Sequence, residues 1–202
     1  MTEKNTEEKI VRAAEKVFIE KGLAGARMQE IADEAGINKA LLHYYYRSKE
    51  KLFGIVFQTV FKGFVPNLLK LFEGPEDFFT KIERFVFVYL NLLEKNPNIP
   101  GFIIHEIGNN PERLVSIIRA MDINLQPVFD IIEDEIEKKT IKQIDPSELI
   151  INILALSIFP IVAKPLVQTI VFKGSEKDYK EMLEKRKTAI ARFVISAIKI
   201  TD

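Results

Sequence analysis

Apolar residues recur three and four positions apart through almost the whole chain, and that spacing leaves little room for anything but helices. The glycines and prolines able to interrupt such a pattern stand mostly in clusters at wide intervals, so they punctuate helices rather than break them up. The first long segment, Thr6 to Lys21, puts Ile10, Ala13, Ala14, Val17 and Phe18 on one stripe, and Gly22 offers a stop. Two short helices are predicted over Met28 to Ala35 and Lys39 to Tyr46, joined at Gly36, with Asn38 as N-cap of the second and Ser48 of the next. Longer helices follow over Leu52 to Phe72 and Glu76 to Glu94, with a short one over Ile99 to Ile107. Asn110 and Pro111 open a predicted helix from Glu112 to about Lys139, and Asp145, Pro146, Ser147 and Glu148 open another through Ala163. The last runs from near Ser175 to Ile200, with Tyr179, Met182, Ile190, Phe193, Val194, Ala197 and Ile198 expected inward. The fold class is all-α, with compact short helices up to residue 52 and longer ones over residues 53–202.

Without cysteine, the chain has no thiol catalysis, no thiolate metal site and no need of an oxidising compartment. Its 29 basic residues balance its 29 acidic ones, so a polyanionic partner would have to be met by a local patch. Met1 to Lys9 is charged and has no apolar core of the kind a secretory leader needs, so the expected location is cytoplasmic. Leu149 to Phe172 is the best candidate for a membrane span, but Asn152, Pro160, Lys164, Pro165 and Gln168 interrupt it. Its clean part, Leu149 to Ala163, falls short of the ~20 residues a span needs, so no membrane partner is expected.

Between Arg27 and Tyr46 the sequence RMQEIADEAGINKALLHYYY has the layout of a helix-turn-helix. Ile31, Ala32 and Ala35 make the inner face of its first helix, Gly36 permits the sharp turn, Ile37 plugs the corner, and Leu42 with Tyr46 closes the core. Lys39, Ala40, Leu41, His43, Tyr44 and Tyr45 surround Leu42, and groups able to hydrogen-bond and stack beside a cation there suit a DNA major groove. A helix cannot bury three consecutive rings on one face, so at least one of Tyr44, Tyr45 and Tyr46 points away. From Ala35 to Gly63 the bases Lys39, Arg47, Lys49, Lys51 and Lys62 face a lone acid, Glu50, which makes that stretch basic in a neutral chain.

Residues Thr6 to Leu52, above all the core IADEAGINKALLHYYYRSKEKLF, resemble the DNA-binding domain of the TetR family of transcriptional regulators. The resemblance implies a helix-turn-helix DNA-binding domain over residues 1–52 and a helical effector-binding and dimerisation domain over residues 53–202. It implies a homodimer, joined through the last two long helices, that binds a palindromic double-stranded operator and most often represses. Lys39, Ala40, Leu41, His43, Tyr44 and Tyr45 fall on the family's recognition helix, Arg27 and Gln29 at the start of the preceding helix, and Lys49 on a phosphate contact. Arg27 stands where a capping threonine is common, so the cap is expected to be lost. Ala40 replaces glycine, and Leu41 replaces a frequent threonine, leaving only an apolar contact to offer a base. His43 stands where tyrosine is common. These departures bear on the operator sequence, not on the mode of binding.

Outside the head, Phe85, Tyr89, Phe102, His105 and Glu106 are candidates for an apolar effector's surroundings, beside the plainer reading that aromatics at helical spacing pack a core. His105 and Glu106 would also be the centre of any enzyme. With one of the chain's two histidines already on the recognition helix, a hydrolytic or metal site would rest on a single imidazole, so neither catalysis, metal nor cofactor is expected. The run from Asp130 to Lys142 reads as a solvated face. Leu149 to Ala163 and Ile190 to Ile200 are too apolar for the outside of a monomer, which points to a four-helix interface between two copies. The competing functional reading is a helical carrier or sensor of apolar molecules whose head no longer binds DNA.

Overall fold

The computed structural model describes residues 3–200. The helices are α1 (Glu3–Gly25), α2 (Met28–Ala35), α3 (Lys39–Tyr45) and α4 (Lys49–Leu69). After them come α5 (Phe78–Lys95), α6 (Asn98–Asn109), α7 (Pro111–Arg119) and α8 (Gln126–Glu137). The last are α9 (Pro146–Val162), the short α10 (Lys164–Leu166) and α11 (Glu176–Ile198). Among the described residues the strand-like pairing is confined to one bridge, Ile141 to Lys199.

The caps read from the sequence form as expected. Asn38, Asn110 and Asp145 each accept a backbone N–H of their helix's first turn through the side chain, and Ser48 accepts the amide of Lys51; Ser175, where the last helix was expected to begin, caps it in the same way. Asp77 caps α5 in the same way, just inside the start expected at Glu76. The stop expected at Gly22 is a kink inside α1, where φ is 64° and the chain resumes for one more turn.

The single helix expected from Glu112 to about Lys139 is two. α7 ends by Ala120, Asp122 adopts a left-handed φ of 51°, and Asn124 accepts the amide of Gln126 to start α8. Pro127 then lies in the first turn of α8, where a missing N–H costs nothing, but it could not have donated within a continuous helix.

Contacts divide the described chain into two compact units, one of residues up to Val65 with Gly101–Ile123, the other of Pro66–Pro100 with the residues from Asn124 onward. The first unit is organised around Ile10, Ala14, Phe18, Ile31, Ala32, Leu42, Leu52, Phe53 and Phe57, joined by Phe102 and Leu114. Phe18 meets Phe53 edge-on at 5.2 Å between centroids, and Phe102 lies 5.3 Å from the same ring. α4 supplies Leu52, Phe53, Val56 and Phe57 to this core. Lys49–Phe72, which adds a 3₁₀ turn to α4, is long and apolar enough to cross a bilayer. The earlier candidate reaches that criterion only as α9 with the segment up to Val171, bent by 65°.

In the second unit α5 packs against α9 and α11. Phe78, Ile82, Val86, Leu90 and Leu93 of α5 are buried with Leu149 and Ile153 of α9 and with Tyr179, Leu183, Ile190, Val194 and Ile198 of α11. The buried Tyr179 hydroxyl donates to the Pro160 carbonyl at 3.1 Å. Phe193 and Ala197, expected inward, instead face out, and Phe193 is 65% exposed. The inner stripe of α11 follows Tyr179, Leu183, Lys187, Ile190, Ala191, Val194 and Ile198, which puts Phe193 on the opposite flank.

Candidate DNA interface

The surface that could meet DNA is built from its own local chemistry. Arg27 is the N-cap of α2 but gives it no side-chain cap, as its sequence suggested, because a guanidinium has no acceptor. Glu30, in the first turn, reaches back to accept the Arg27 amide at 3.2 Å, so half of a capping box survives. Lys21 donates to the other oxygen of Glu30 at 3.1 Å, and that bond leads in holding the carboxyl below its usual range. At the turn, Gly36 is left-handed (φ 67°) and donates to Asp33, while the Ile37 amide donates to Ala32 at 3.0 Å. Asn38 then starts α3 by accepting the Leu41 amide at 2.8 Å.

α3 is held from beneath. Leu42 is fully buried and the Tyr46 ring nearly so, and burial pushes the Tyr46 phenol above its ordinary pKa. Around that anchor Lys39, Ala40, Leu41, His43 and Tyr44 are exposed and Tyr45 is half-buried. Tyr44, 74% exposed, meets Tyr45 edge-on at 5.5 Å, so the half-buried ring steadies the outer one. Gln29 is exposed on α2 and donates to Asp33 at 2.8 Å, while Arg27 is exposed at the same end. Lys49, half-buried at the start of α4, donates to the Ala26 carbonyl at 2.9 Å, which ties its ammonium to the loop before Arg27.

The effector candidates fall in different units. Phe85 and Tyr89 belong to the second, where their rings stack at 5.6 Å and burial pushes the Tyr89 phenol up to about 12. Phe102, His105 and Glu106 belong to the first. Glu106, 2% exposed, accepts from Arg113 at 2.5 Å and, at the long limit of 3.5 Å, from the Leu23 amide just past the α1 kink. Arg113 in turn lies over the Phe53 ring, 5.3 Å from its centre. The His105 ring lies so close to Gly22 that a β-carbon there would stand 3.1 Å from it. Arg113 lies seven residues beyond Glu106, past the Asn110-Pro111 break, so helical spacing in the sequence does not announce the contact.

A tight glycine turn between two short helices, the second anchored by one buried leucine and presenting polar and aromatic groups outward, defines a helix-turn-helix domain. Residues 10–55 match the family model for bacterial regulatory proteins of the tetR family. Over that segment the chain is similar to the DNA-binding domain of the TetR family. The transcriptional repressor NicS of Pseudomonas putida is 33% identical over 87 residues, 42% of this chain, so the chain spans about two-fifths (41%) of the length of that relative. Among solved structures, the hemolysin II transcriptional regulator HlyIIR superposes with a TM-score of 0.70 at 23% identity, covering 99% of this chain and 100% of that one. FadR of Bacillus subtilis, in complex with stearoyl-CoA, does so with a TM-score of 0.67 at 14% identity, covering 95% and 98%. These likenesses show that the all-α fold is that of solved transcriptional regulators.

Proposed function

We propose that this protein is a DNA-binding transcriptional regulator, a repressor in its usual mode, working in the cytoplasm as a homodimer on a palindromic operator. The observation that carries the reading is the set of five exposed side chains on α3, Lys39, Ala40, Leu41, His43 and Tyr44, ranged around a completely buried Leu42. A core this well filled does not need those groups, and their chemistry suits base edges and phosphates. Residues 1–52 are assigned the DNA-binding role, with Arg27, Gln29, Tyr45 and Lys49 beside α3, and residues 53–202 the dimerising and effector-binding role.

Dimerisation through α9 and α11 is supported by Ile151, Phe159 and Phe193, which stand well exposed on those helices. Pairing there would bring two copies of α3 into one particle, and a palindromic operator requires them near one DNA turn apart or a multiple of it. The effector is assigned an apolar character, and FadR, a protein of the same fold, binds an acyl-CoA. Phe85 and Tyr89 in the second unit, and Phe102, His105 and Glu106 in the first, are the residues assigned to respond to it. A ligand that prefers a state with different α3 spacing lowers operator affinity by its own preference for that state.

The test is fluorescence anisotropy of the full-length protein on duplexes from the DNA flanking its own gene, at low salt, with and without apolar ligands. Tight, strongly salt-dependent binding is expected, and Tyr44→Ala should weaken specific binding without loss of fold. Lys49→Ala should weaken binding to all duplexes and flatten the salt dependence by about one unit. Binding to none of these duplexes would favour the carrier reading instead, and turnover lost in His105→Ala would favour an enzyme.

A further inference from the structure

We propose that Leu41, with Ala40 beside it, makes the protein select operators that place thymine methyl groups against the first turn of α3. The inference rests on the DNA-binding reading above and names what that surface recognises. Ala40, Leu41 and Tyr44 share one side of α3 by their three- and four-residue spacing, and all three are exposed, Leu41 at 37%. The turn before them offers little to compensate. Asn38, the residue type that reads adenine through its amide, already spends its side-chain oxygen on the Leu41 amide at 2.8 Å. Hydrogen bonding on this surface is left to Lys39, His43 and Tyr44.

An isobutyl side chain pressed into the major groove removes water from whatever base edge it covers and returns no hydrogen bond. Against the N7 and O6 of guanine, the N7 and amino group of adenine or the amino group of cytosine, that leaves a buried polar group unpaired. The C5-methyl of thymine is the one major-groove feature that needs no partner and gains from apolar contact. Leu41 therefore acts in two ways, favouring thymine through burial of its methyl and disfavouring the other edges by stranding their polar atoms. The first effect can be isolated, because deoxyuridine lacks only the methyl and pairs as thymidine does.

The experiment selects binding duplexes from a random-sequence pool with the full-length protein, then remakes the enriched half-site with deoxyuridine at each thymidine in turn. The expected result is one or two thymidines per half-site where the exchange weakens binding about three- to fivefold, the worth of one buried methyl, while the others tolerate it. In Leu41→Ala, whose exposed site should leave the fold intact, the loss at those positions should disappear. Full tolerance of deoxyuridine everywhere would overturn the proposal, as would a loss that persists undiminished in Leu41→Ala. Either result would leave DNA binding standing, whereas a pool from which no duplex is enriched would overturn DNA binding and the methyl reading together.

Discussion

Among the described residues each unit buries one charged side chain, and the two handle its desolvation in opposite ways. In the first, the carboxylate of Glu106 is the buried partner, and it holds Arg113 and the Leu23 amide, groups from α7 and from the far end of α1. In the second, the ammonium of Lys187, 7% exposed, is shared at 2.7 Å by Glu94 of α5 and by Glu184 one turn earlier on α11. Glu184 is mostly solvated, so part of the second cluster can return to water if the lysine is lost, whereas Arg113 is three-quarters covered and packed on Phe53. A buried charge is costly to remove when its partner has nowhere else to go.

Glu106→Ala should therefore show the largest effect, a loss of about 3 kcal/mol in urea unfolding, because it strands the Arg113 guanidinium over Phe53. Glu106→Gln keeps an acceptor for Leu23 and should recover about 1 kcal/mol of that. Gly22→Ala comes next, at about 2 kcal/mol, because a left-handed φ and the His105 ring both oppose the new β-carbon. Gly36→Ala, with the same φ sign but open space around it, should lose only about 1 kcal/mol. Combining Gly22→Ala with His105→Ala should abolish the difference between the two glycines, and a double-mutant cycle without coupling would remove the steric account.

Lys187→Ala should cost about 1 kcal/mol, and Lys187→Met less than that, since a methionine fills the space and needs no counter-charge. If Lys187→Ala proved as damaging as Glu106→Ala, the contrast between the units would be lost. The alkaline limb of stability sharpens it further. Burial works to lower the Lys187 pKa, but the hydrogen bonds from its ammonium to Glu184 and Glu94 outweigh it and raise the value above that of an ordinary lysine. The folded state thus binds this proton more tightly than the unfolded one. Its stabilising contribution is complete below the unfolded value of about 10.4 and fades as pH rises through the folded one. Lys187→Met should show a flatter loss of stability in that alkaline range, measured by urea midpoints.

Helices and caps were legible because a three-to-four spacing and an Asn-Pro or Asp-Pro start are local signals, present in Asn110-Pro111 and Asp145-Pro146 alike. The break before α8 is not legible in the sequence because Asp122 enters the left-handed region without a glycine to announce it, and the proline that marks the restart is preceded by glutamine. The outward place of Phe193 and Ala197 is not legible either, since α11 carries apolar residues on two flanks, and composition does not say which flank meets α5. On α3 the outward set could be read directly from the sequence, because one buried Leu42 fixes the phase of a seven-residue helix. The Glu106 cluster could not be read there, because the amide it accepts from lies 83 residues away in the chain.

If Lys49 meets a phosphate as proposed, its bond to the Ala26 carbonyl bears on how firmly that phosphate is held. A lysine waving in solvent surrenders up to about 2 kcal/mol of side-chain freedom when it is immobilised. Lys49 has given up part of that already in folding, so its ammonium stands poised at a fixed spot before any duplex arrives, and the entropy lost at the moment of contact is smaller than for a free surface cation such as Lys39.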